Sequence, residues 1–61
     1  MAQITEKELS AISDLLTMEE NLVQKYQAYA CQCTDTTLKE QYEQIAARHQ
    51  RHYDELYANL K

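Results

Sequence analysis

His49 and His52 are the only histidines in the chain, and they stand three residues apart in the segment ARHQRHY. On a helix that spacing turns both rings to one face, within reach of a single ion. A carboxylate brought to the same level would complete a nitrogen-and-oxygen set of three ligands, suited to zinc, iron or another transition metal. Which carboxylate can reach them depends on the elements that carry the three side chains.

Composition says what those elements are. The 61 residues include no glycine and no proline, 44% are hydrophobic and 26% charged, and Glu, Gln, Lys, Leu and Ala recur throughout. These are the residues that lose least on entering a helix, and a sheet is hard to build from them. A chain this short buries only about 60% of its unfolded surface and gains roughly 3–5 kcal/mol from its own core. One all-α domain, completed by a partner, is the expectation.

Two stretches punctuate the chain. Thr5-Glu6-Lys7-Glu8 is a capping box, in which the Thr hydroxyl and the Glu carboxylate satisfy backbone N–H groups that a first helical turn leaves unpaired. Thr34-Asp35-Thr36-Thr37 is a run of short polar side chains that favour caps and turns because they compete for nearby backbone groups. With Asp35 as N-cap, the chain reads as one helix over about residues 6–33, a turn at 34–35 and a second helix over about 36–59. At 1.5 Å per residue these are roughly 42 and 36 Å long, well matched as antiparallel partners in a hairpin.

Periodicity then orients the histidines. Leu9, Ile12, Leu16, Glu19, Val23, Tyr26, Ala30 and Cys33 form a 3-4 stripe on the first helix, which Leu15, Leu22 and Tyr29 widen to a bundle-type face. On the second helix the stripe is Leu38, Tyr42, Ile45, His49, His52, Leu56 and Leu60, so both histidines point inward. A turn centred near residue 35 puts Glu19 level with position 51, between them. Glu20 would replace Glu19 only if the helix were rotated by one residue, and Glu19 is the one that belongs to both heptad registers. Burying a carboxylate without a partner costs several kcal/mol, so this convergence calls for an explanation. Two stand open: a metal site of Glu19, His49 and His52, or a hydrogen-bonded polar layer that fixes register. Tyr26, nearer the turn on the same face, is placed to donate its hydroxyl to a carboxylate or ligand there, or to serve in ordinary packing. Tyr29, Tyr42, Tyr53 and Tyr57 read as half-buried rim residues.

Two helices leave the seam half covered, and the wide apolar faces call for a second hairpin. A two-fold homodimer forming a four-helix bundle is the economical solution. Other partner classes are disfavoured. Ten acidic and six scattered basic residues give a formal net charge of −4, which points away from nucleic acid and anionic membrane. No apolar run approaches the ~20 residues of a bilayer span, and MAQITEKELS lacks the plan of a signal peptide, so cytoplasmic synthesis is expected. Cys31 and Cys33 would point about 200° apart on a helix, which rules against a disulfide between them. Free thiols in a reducing compartment are the reading, with intermolecular cross-linking at the end of the bundle as the lesser one.

Glu19 followed by Tyr26, with His49-x-x-His52 where a Glu-x-x-His would be expected, resembles half of a ferritin-like bundle of the rubrerythrin type. The segments LTMEENLVQKYQAYA and TDTTLKEQYEQIAARHQRHYDEL are more similar still to the spore coat protein F family, over roughly residues 12–60. The matching positions include Leu16, Glu19, Tyr26, Tyr29, Ala30, Asp35, Leu38, His49, His52, Tyr53 and Leu56. The resemblance implies a ferritin-like helical hairpin, an endospore-forming source, and a structural or accessory role in the spore coat beside other coat proteins. It does not imply a reaction. Ferritin-like di-iron centres draw a Glu from each of four helices, whereas His49 here would leave a dimeric site with about two negative charges in place of four. That departure disfavours oxidase or peroxidase chemistry. The expected function is therefore a self-associating structural protein carrying a metal site. The alternative is a ferritin-like iron or zinc protein with a redox or storage role.

Overall fold

The computed structural model describes residues 4–60 and consists of two α-helices, α1 (Glu6–Gln32) and α2 (Thr36–Ala58), packed as an antiparallel hairpin with no strand among the described residues. Both starts are capped as the side-chain chemistry requires. The Glu8 amide donates to Thr5 Oγ1 at 3.1 Å while the Thr5 amide donates to Glu8 Oε1 at 3.3 Å, closing the capping box reciprocally. Asp35 caps α2, its Oδ1 accepting from the Leu38 amide at 2.9 Å.

The reversal is made without glycine. Cys33 leaves the helix in an extended conformation (φ −82°, ψ 130°), its amide still bonded to the Ala30 carbonyl at 3.3 Å, and Asp35 is extended as well (φ −81°, ψ 119°). No residue need enter the left-handed region. Helix ends differ from the sequence reading by one residue each: Cys33 becomes the C-cap of α1, and Asn59 caps α2, its Nδ2 donating to the Glu55 carbonyl at 3.1 Å.

The core lies along one seam. Val23, Ala30 and Ala46 are buried, with Ile12, Leu16, Tyr26, Tyr42, Ile45 and Leu56 half-buried beside them. No side chain among the described residues is fully enclosed, as expected of a single layer measuring 47 × 17 × 11 Å. Three positions on the predicted stripes, Leu9, Leu38 and Leu60, are exposed instead, because at the ends of a two-helix layer nothing lies above them. Ala46, which the stripe omitted, is buried. The i, i+4 spacings Lys39–Glu43 and Arg51–Glu55 form no ion pair; the only ion pairs among the described residues join Glu19 to His49 and His52. Exposed pairs of that kind gain little over separate hydration.

The layer has two unlike faces. One presents Leu15, Met18, Leu22 and Tyr29 from α1 and Ile45, His52 and Leu56 from α2; Leu15, Met18 and Tyr29 are exposed there. The other presents Glu20, Gln24, Gln27 and Gln50 around Tyr53.

Candidate metal centre

Glu19 sits midway along α1 and turns into the seam with 6% exposure, the one buried charged residue among those described. Its level falls between His49 and His52 on α2, and both rings reach it. His49 Nδ1 lies 2.9 Å from Glu19 Oε1, and His52 Nδ1 lies 3.0 Å from Oε2. Each carboxylate oxygen thus serves one ring. A carboxylate has acceptors only, so His49 donates to Oε1 from Nδ1–H. No buried side-chain nitrogen or oxygen among the described residues lacks a partner. Glu20, its neighbour, is exposed and belongs to the opposite face.

The same arrangement is close to a coordination shell. One ligand atom from each of Glu19, His49 and His52 can be chosen so that all lie within 4.8 Å of one another, the only such cluster among the described residues. Two atoms bound at ~2.1 Å to one ion, at tetrahedral or octahedral angles, are about 2.9–3.4 Å apart. The two His–Glu contacts, one to each oxygen of the carboxylate, have that length. Two imidazole nitrogens and one carboxylate oxygen suit zinc or ferrous iron and leave further coordination positions unfilled. The unfilled side is the His52 side, whose side chain is 45% exposed against 22% for His49. A shallow cleft of about 400 Å³ opens there, between Leu15 and Met18 on α1 and His52 and Leu56 on α2.

Tyr26 meets the site with its ring. It lies 6.4 Å from the His49 ring, nearly parallel at 12°, and its hydroxyl makes no hydrogen bond to Glu19. The ring therefore holds the plane of the imidazole rather than supplying a proton donor. Behind it, Tyr29 and Tyr42 complete a cluster of three rings 5.5–6.0 Å apart, with Lys25 Nζ 5.8 Å from the Tyr26 and Tyr29 centroids. The level-matching that sets Glu19 between the histidines also sets Tyr26 against Tyr42, so this contact was within reach of the sequence; the tilt of Tyr29 onto both was not. Cys31 and Cys33 lie far from the triad at the turn, both as free thiols, and Cys33 Sγ is 3.5 Å from the Asp35 carbonyl oxygen.

Compared with protein-family models, with curated proteins and with solved structures, the chain finds no match. No described helix is long and apolar enough to cross a membrane.

Proposed function

We propose that the chain is a self-associating helical hairpin whose Glu19–His49–His52 triad binds one transition-metal ion per chain, zinc or ferrous iron, in a structural role. One observation carries this reading: Glu19 on α1 and, thirty and thirty-three residues on, His49 and His52 on α2 converge with ligand atoms within 4.8 Å of one another around a buried carboxylate. Metal binding adds its free energy to a hairpin that encloses no side chain completely, which is where a small domain gains most from a staple. Pairing of two hairpins into a four-helix homodimer covers the apolar face. The resemblance of residues 12–60 to spore coat protein F supports a place in the spore coat, among other coat proteins. A redox or storage role of the ferritin-like kind is less well supported, because His49 stands where such centres use a carboxylate.

A second reading is favoured by a specific observation. The His49–Glu19 contact is a hydrogen bond, His52 Nδ1 lies 3.0 Å from the other carboxylate oxygen, and no buried side-chain polar atom among the described residues is left unsatisfied, so the triad also serves as a register-fixing polar layer without metal. The two are separated by the metal content of purified protein and by melting with and without chelator. The metal reading expects about one ion per chain and a chelator-induced drop in Tm of roughly 10 °C or more, consistent with a few kcal/mol on a domain this small. His52→Ala should abolish the drop. Metal-free protein that melts identically with chelator would leave the polar layer as the function of the triad.

A further inference from the structure

We infer that a second copy of this chain docks on the Leu15–Met18–Leu22 face with its turn at the opposite end, and that this pairing and metal binding at the triad strengthen each other. The inference rests on the metal reading above and adds its regulation.

Three observations select the occupant. The first is area: a folded monomer of 7.2 kDa is expected to expose roughly 4,100 Å², while this hairpin exposes 4941 Å². The excess of roughly 800 Å² matches what each partner contributes to a standard interface. The second is that apolar side chains of both helices share one face, Leu15, Met18 and Tyr29 exposed on α1 and Ile45 and Leu56 half-buried on α2, whereas the opposite face presents Glu20, Gln24, Gln27 and Gln50 beside Tyr53. A face of that kind is self-complementary under a two-fold axis.

The third is charge. Asp14, Lys25, Arg48 and Glu55 flank this face and form no ion pair among the described residues. With turns at the same end, α1 of one copy lies on α2 of the other at equal height above the turn, and Asp14 meets Glu55. With turns at opposite ends, α1 lies on α1 and α2 on α2 in reverse. A two-fold axis near the level of Glu19 then sets Lys25 near Asp14 and Arg48 near Glu55 of the other copy. The second arrangement pairs opposite charges and is the one we assign.

That axis passes at the level of the triads. The cleft on the unfilled side of each triad faces the second copy, so an ion held there is sealed from water only in the dimer. Two metal-free chains of formal charge −4 bring −8 together, with two Glu19 carboxylates near the axis; two divalent ions reduce this to −4. Metal therefore favours the dimer, and by linkage the dimer favours metal to the same degree.

Sedimentation equilibrium of the full chain, with zinc alone as the probe, tests the coupling. Zinc should tighten the dimer by about tenfold or more, within the usual range of such couplings, and zinc affinity should rise by the same factor as protein concentration crosses the dimer constant. Lys25→Glu, which removes no ligand of the triad, should weaken both the dimer and zinc affinity, with helicity by circular dichroism unchanged. Adding Asp14→Lys to it should restore both. Zinc bound with the same affinity by monomer and dimer would overturn the coupling while leaving the metal reading intact. No zinc binding by the wild-type chain would overturn both, and failure of the double variant to recover would overturn the assigned orientation.

Discussion

The two faces of the hairpin are made from the same two helices and differ almost completely in chemistry. On one, Leu15, Leu22 and Tyr29 recur every seven residues beside the helix seam, and His52 opens onto a cleft floored by Glu19. On the other, Glu20, Gln24, Gln27 and Gln50 surround Tyr53, which stacks on the exposed Tyr57. A protein that worked as an isolated hairpin would have no reason to distinguish them, since both would be equally wet. The asymmetry is what the proposed pairing of two hairpins would use, with the His52 side of the triad on the apolar face.

The contrast is best broken with charge. Leu22→Lys places an ammonium on the half-buried apolar face and should cost about 2–4 kcal/mol, in the range for burying an unpaired charge or losing core packing, together with the dimer. Gln24→Lys, two residues along on the opposite face, should change stability by no more than about 0.5 kcal/mol. Urea denaturation at fixed protein concentration, paired with sedimentation, reads both. Equal losses from the two substitutions would show that the faces are equivalent and remove the basis for a covered side.

The triad sharpens the comparison within one face. In metal-free protein, His49→Ala should cost about 1–3 kcal/mol, because it strips a partner from a buried carboxylate oxygen, and it also removes the ring that Tyr26 stacks against. His52→Ala should cost less, since water can replace a side chain that is 45% exposed. Denaturation of both variants in chelator gives the order, and a larger loss for His52→Ala would mean that its ring is covered in solution more than in the isolated hairpin. One further effect belongs to neither face. Asp35→Ala removes the cap on the Leu38 amide and should lower stability by about 1 kcal/mol with no change in dimer constant or zinc affinity.

Much of this was legible before any coordinates, for local reasons. Thr5 and Glu8 are close enough in sequence to satisfy each other whatever the tertiary fold, so the start of α1 was readable to the residue, and Asp35 fixed α2 in the same way. The inward set of Glu19, His49 and His52 followed from helical period and a turn position. What resisted was anything decided by how far the layer extends. Leu9, Leu38 and Leu60 keep the period of the seam and still lie in solvent, because period reports direction and not whether a neighbour is present. Tyr26 was correctly turned inward, but whether it would meet the site by hydroxyl or ring depended on a rotamer set by Tyr29 and Tyr42.

By itself the sequence determined two helices, their caps, the glycine-free reversal and which residues share a stripe, since each depends on backbone groups and side chains within a turn or two of one another. Only the tertiary structure decided that one carboxylate would divide its two oxygens between two imidazoles at 2.9 and 3.0 Å, leaving His52 half exposed on the apolar side. Those distances depend on the spacing and rotation of one helix against the other. Helix packing sets both, through the close approach that Ala30 and Ala46 permit and the bulk that Val23 supplies.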